Sequence, residues 1–267
     1  MFQTLRMWIT LTLAAGLAAI NPAPAEATGI GIAIMHGKGG SPTKYVSGLA
    51  SSLGRNGYLV ANLEMPWSGR REYDVNVDAA VKELRSGLDT LQRQGANKLF
   101  VAGHSLGALF ALYFAGQHSV DGVIALAPGG SVSTPIFREK LGKSVDLARS
   151  LVTEGKGNEK TRFIDYEGGK GTYPVITTPV SYLSWFDPEG AVSLSKAAKA
   201  MNPEIPVLYV APKGDYPMLL KSKQVIFSAL PPHPLTKLYE PDSSHLDAPS
   251  ASRDEILRWT SQVASGR

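Results

Sequence analysis

"KLFVAGHSLGALF" (98–110) carries an apolar stretch of strand length into Gly103-His104-Ser105-Leu106-Gly107, and an apolar helical stretch leaves on the far side. The pentapeptide alone says little, since average glycine and serine usage yields G-x-S-x-G in roughly one chain of this length in ten. Its setting carries the information. A serine between a strand and a helix sits on a sharp turn, where flanking glycines avoid side-chain collisions and the hydroxyl is left exposed at the strand's end. The alternative is a Ser105 that merely caps the helix starting at Leu106.

Working outward, "IGIAIMHG" (30–37) is a second apolar run ending in glycine, followed by helix-like spacing over 44–58 that closes at Asn56-Gly57. "LVANLEMP" (59–66) is another strand, and 74–95 places Val77, Val81, Leu84, Leu88 and Leu91 on one helix face, ended by Gly95 as a left-handed cap. Further strands are expected at 122–128, 205–212 and 236–241, with helices over 216–230 and 250–264. Strands apolar throughout, alternating with helices, imply an α/β protein with a parallel sheet covered on both faces. One interval, 129–204, is far longer than an ordinary connection and holds a helical pattern at 143–155, a turn-rich stretch and the aromatic segment "YPVITTPVSYLSWF" (173–186). It reads as an insertion or cap within one domain spanning 28–267.

Composition removes several function classes. The chain has 267 residues, no cysteine and a formal net charge of +4. Disulfides, a thiol nucleophile and thiolate metal sites are therefore excluded. No dense Lys/Arg block with interleaved aromatics points to nucleic acid. The histidines are scattered and no Gly-rich dinucleotide fingerprint opens a helix, so neither a metal nor an organic cofactor is expected. The first stretch has an early Arg6, an apolar run from Met7 to Ile20 and the small residues "APAEA". This is the layout of a secretory signal over 1–27, cleaved after Ala25 or Ala27, with an apolar run too short for a comfortable membrane span. The mature protein is expected in the periplasm or secreted, with no stable span.

A serine hydroxyl needs a base to take its proton and an acid to orient that base. Of five histidines, His36, His104, His118 and His233 lie beside loop glycines, beside Ser105, at a helix end and among prolines. His245, in "EPDSSHLDAPS", follows the last strand and precedes the last helix, where functional groups gather in open α/β sheets. Asp215, just past the strand at 205–212, is the favoured acid, with Asp187, Asp242 and Asp247 in competition. Acyl transfer also needs oxyanion donors. The Leu106 amide at a helix start supplies one, and the Lys38 amide in "HGKGGSP" (36–42) is the expected second. The Lys38 side chain is expected to be solvated rather than to attract an anionic substrate.

With those residues in place, the chain resembles the α/β-hydrolase superfamily over 29–265: an HG loop after an early strand, "GHSLG" at an elbow, then Asp215 and His245 in the family's order Ser, Asp, His. The resemblance implies a sheet of about six strands, Ser105, Asp215 and His245 as nucleophile, acid and base, and Lys38 and Leu106 at the oxyanion hole. The sequence departs from many lipases and esterases in reading HGKGG for HGGG. It also leaves no room for the extra amino-terminal strand pair that many members carry.

The fold alone does not choose a reaction. An exported serine hydrolase cleaving a small-molecule carboxylic ester is favoured, with a peptidase on short peptides or a non-catalytic binding protein as alternatives. Tyr182, Trp185 and Phe186, with Tyr173, are candidates to line a substrate pocket; the other reading is that they pack the insertion onto the body.

Overall fold

The apolar run at 30–37 becomes β1 (Ile30–Met35), buried at every residue because helices lie on both faces of the sheet. The structure, a computed structural model, describes residues 29–266, and the expected signal at 1–27 with its cleavage sites lies outside them. After β1 come α1 (Ser47–Arg55), β2 (Leu59–Leu63), α2 (Val77–Arg93), β3 (Lys98–His104), α3 (Leu106–Ala115) and β4 (Gly122–Leu126). The interval at 129–204 contains α4 (Pro135–Thr153), β5 (Thr161–Glu167), β6 (Gly171–Thr177), α5 (Pro179–Phe186) and α6 (Leu194–Lys199). The chain then returns through β7 (Val207–Val210), α7 (Pro217–Phe227), β8 (Lys237–Tyr239), α8 (Ala248–Ala251) and α9 (Arg253–Ala264).

Six strands form one parallel sheet in the order β2-β1-β3-β4-β7-β8, as the resemblance implies. Alternate strand residues supply two cores. Ile32, Ile34, Phe100, Ile124 and Leu208 face Leu49, Leu53, Ile256 and Trp259 from α1 and α9. Ala33, Met35, Val101, Val123 and Tyr209 face α2, α3 and the insertion. The expected face of α2 is buried at Val77, Leu84, Leu88 and Leu91, with Ala80 completing it while Val81 is only half-buried. Gly95, at φ +103°, adopts the left-handed cap.

The chain runs from β1 to β2 on one side and back to β3 on the other. Reversal of direction between adjacent β1 and β3 opens a crevice at their carboxyl ends, where ligands bind in open α/β sheets. The HG loop leaves β1 there and Ser105 leaves β3 there.

The insertion differs from expectation. Its helix begins at Pro135, well before 143, and β5 and β6 pair as an antiparallel hairpin that apolar patterning does not foretell. The aromatic segment is two elements, split where Thr178 accepts a hydrogen bond from the Ser181 amide and Pro179 starts α5.

Candidate functional site

Ser105 occupies a strained backbone position, φ 55° and ψ −114°, between β3 and α3. The flanking glycines are dictated by close approach. A Cβ at Gly103 would overlap the Gly107 carbonyl, and one at Gly107 would stand 2.7 Å from the carbonyl oxygens of Met35 and His36. Elbow and HG loop are thus pressed together, and a methyl at Gly37 would lie 3.2 Å from Ser105 Cβ. Among the described residues, none hydrogen-bonds the Ser105 hydroxyl, which is half-buried.

His245 and Asp215 meet beside this turn. A bridge between Gly214 and Ser244 joins their loops, and His245 Nδ1 lies 2.6 Å from Asp215 Oδ1. Both side chains are buried. Asp215 Oδ1 also accepts from the Tyr216 amide at 2.7 Å, which fixes the carboxylate plane. A carboxylate accepts, so His245 Nδ1–H is the donor of this bond, and Nε2 is the nitrogen with which a neutral ring can accept. The Tyr216 ring lies against the imidazole, with centroids 4.5 Å apart. The competing acids are occupied elsewhere: Asp187 pairs with Arg149, Asp247 accepts from the Ser244 hydroxyl, and Asp242 is exposed.

Two histidines frame the site without standing in that pair. His104 Nε2 donates to the His245 carbonyl at 2.9 Å, and the two rings are 4.9 Å apart. Its Nδ1 is buried with no hydrogen-bond partner. Burial, then the neighbouring His245, lowers the His104 pKa to about 4. His36 Nε2 accepts from the Met65 amide, so Nδ1–H donates to the Gly37 carbonyl, and Trp67 Nε1 donates to the His36 carbonyl. Burial lowers the His36 pKa as well. These contacts splint the HG loop against β2's exit. Sequence spacing contains no signal for them beyond the presence of the histidines.

The expected oxyanion donors lie on either side of the elbow. Leu106 is the first residue of α3, so its amide has no intrahelical acceptor. The Lys38 amide also donates to no described residue, while Gly39 beside it donates to the Trp67 carbonyl at 2.8 Å. The Lys38 side chain corrects the expectation of a solvated lysine. It is 9% exposed and bonds Asp165 in β5 at 2.7 Å.

Tyr182, Trp185 and Phe186 also depart from the pocket expectation. They are 0%, 1% and 2% exposed. Tyr182 stacks between Phe163 and Phe186 and donates to the Ile164 carbonyl. Trp185 packs on Trp67 and Phe110 of the body and donates to the Val75 carbonyl. Their role in the structure is to weld α5 to the sheet's covering layer. Tyr173 reaches Asp165. Exposed apolar groups beside the site come instead from the loops themselves: Tyr45 near His104, Tyr216 against His245, and Leu246 next to it in sequence. Among the described residues no acidic or histidine cluster could hold a metal, and no helix is long and apolar enough to cross a membrane.

A family model described as serine aminopeptidase, S33, a hydrolase family, matches residues 28–163. A search of curated proteins finds no match. Among solved structures, the chain is similar to a monoacylglycerol lipase of Paleococcus ferrophilus, with 22% identity, a TM-score of 0.60, and coverage of 90% of this chain and 96% of that one. It is similar to a highly thermostable carboxyl esterase from Bacillus coagulans at 16% identity and TM-score 0.62, covering 92% and 91% of the two chains. A structure from work on the metagenome-derived lipolytic enzymes LipS and LipT matches at 18% identity and TM-score 0.57, covering 92% and 98%. At these identities the structural likenesses show the fold.

Proposed function

The chain belongs to the serine aminopeptidase S33 family of α/β-hydrolases, and on that premise we propose that it is an exported serine hydrolase cleaving carboxylic esters through an acyl-enzyme. The observation that carries this reading is the His245–Asp215 pair beside a serine held on a strained turn. His245 Nε2 takes the Ser105 proton as Oγ attacks the ester carbonyl, and Asp215 stabilises the imidazolium that forms. The negative oxygen falls between the Lys38 and Leu106 amides. His245 then gives its proton to the leaving alkoxide, and water repeats the sequence on the acyl-enzyme. An export signal within residues 1–27 is cleaved after Ala25 or Ala27, so secreted material begins at Glu26 or Thr28.

The family's description raises a second reading, release of amino-terminal residues from peptides. A charged substrate amine taken out of water requires a carboxylate free to pair with it. The carboxylate that the hairpin brings to the HG loop, Asp165, is buried and already matched by Lys38. This favours the ester. A panel of p-nitrophenyl esters and aminoacyl p-nitroanilides, run beside fluorophosphonate labelling of wild type and Ser105→Ala, tests both readings. Ester turnover with labelling confined to Ser105 is expected. Anilide turnover alone would establish the peptidase, and neither turnover nor labelling would leave a binding protein.

A further inference from the structure

Residues 37–40 read Gly-Lys-Gly-Gly, so Lys38 is the only member of this loop segment with a side chain by which to hold it. That side chain is directed away from the elbow into the insertion. Its Nζ lies 2.7 Å from Asp165 Oδ1 and 3.2 Å from the Tyr166 carbonyl, and 5.1 and 5.7 Å from the Phe137 and Phe186 ring centroids. Asp165 is fully buried. Its carboxylate also accepts from the Tyr166 amide at 2.6 Å, the Tyr173 hydroxyl at 2.8 Å and the Tyr73 hydroxyl at 3.1 Å. The ammonium is thus enclosed by two aromatic rings and a carboxylate that is itself held from β5, β6 and the loop after β2.

We infer that Asp165 is a positioning residue: through the buried ion pair it holds the Lys38 backbone so that the Lys38 amide faces the oxyanion formed at Ser105. This rests on the ester-hydrolase reading above. A buried ion pair is poor evidence for stability, because apolar residues of similar size often serve as well. What a directional pair supplies is a fixed location for the atoms joined to it. An oxyanion donor has to be in place before charge develops; the glycines of this loop are held only through their backbones, at Gly37, Gly39 and Gly40, and Lys38 is the one member that a side chain can hold. The insertion would then act on chemistry through one carboxylate, 127 residues from the amide it orients.

Three variants test this: Asp165→Asn, Lys38→Met and the double variant. Each is followed by urea denaturation, by kcat and KM for p-nitrophenyl butyrate, and by affinity for a trifluoromethyl ketone that forms a tetrahedral adduct on serine. Folded single variants are expected to lose about 10- to 100-fold in kcat and a similar factor in ketone affinity, with KM changed by less than about threefold. The double variant should be no worse than the poorer single, because both changes break one link. If Asp165→Asn does not fold because its ammonium is left unpaired, the double variant, which buries neither charge, decides the matter. A folded double variant with wild-type kcat and ketone affinity overturns the inference. So does a loss confined to stability or KM. Wild type lacking both ester turnover and fluorophosphonate labelling overturns the ester-hydrolase reading instead.

Discussion

The sheet body and the insertion at 129–204 encode their structures differently. In the body, β1, β3, β4 and β7 are continuous apolar runs because each is covered on both faces, so one rule of burial suffices to find them. In the insertion, burial depends on partners distant in sequence. Asp165 is fully buried because Lys38, Tyr73 and Tyr173 satisfy it, and Trp185 is buried because Trp67 and Phe110 receive it. A polar residue at the centre of a strand and a proline within its neighbour, Pro174, conceal a hairpin from any reading of local periodicity.

The contrast predicts that site residues of the body can be removed without unfolding it. Ser105→Ala and His245→Ala should each reduce ester turnover by about 10⁴- to 10⁶-fold while the protein stays folded, with a cooperative urea transition. A comparable fall in stability would erase the distinction between the two regions. Next in size, Asp215→Asn should lower kcat by about 10³- to 10⁴-fold, because His245 loses the acceptor that keeps its proton on Nδ1. Near-normal turnover in that variant would reassign the acid.

The catalytic candidates were legible for the same reason as the body. Ser105, Asp215 and His245 follow β3, β7 and β8, and parallel strands bring their carboxyl ends to one edge, so order along the chain becomes proximity in space. The Lys38–Asp165 pair follows no such rule. Neither residue type is distinctive on a chain with 27 basic and 23 acidic residues, and only the docked hairpin brings them together. Tyr182, Trp185 and Phe186 show the converse. A cluster of aromatics has the composition of a pocket and of a core alike, and the partners of each ring decide which it becomes.

Those three rings therefore sharpen the comparison from the insertion's side. Trp185→Ala should destabilise the protein by about 3–5 kcal/mol, since it empties a site between body and insertion and leaves the Val75 carbonyl without its donor. Denaturation by urea measures this directly. A variant of wild-type stability whose preference among acyl chains is altered would restore the pocket reading and place substrate against α5.

The smallest expected effect concerns His104, a body residue that acts by position. Its ring is buried, its Nε2 proton is given to the His245 carbonyl, and its Nδ1 faces no partner, so a second proton would bring a charge into a dry space. The folded protein keeps this histidine neutral down to about pH 4, whereas an unfolded chain protonates it near 6.5. Between those values the unfolded state binds the extra proton, and stability falls as pH falls; above 6.5 the contribution is complete. The loss from this one group between pH 7 and pH 4.5 is about 2–3 kcal/mol. His104→Gln retains an N–H donor for the His245 carbonyl and removes the titration. Its unfolding free energy should therefore decline less steeply over that interval than that of wild type, with a residual slope from His36, whose pKa burial also lowers. Parallel curves for the two proteins would mean that the His104 ring accepts its proton without cost, and that the wall between it and His245 is open to water.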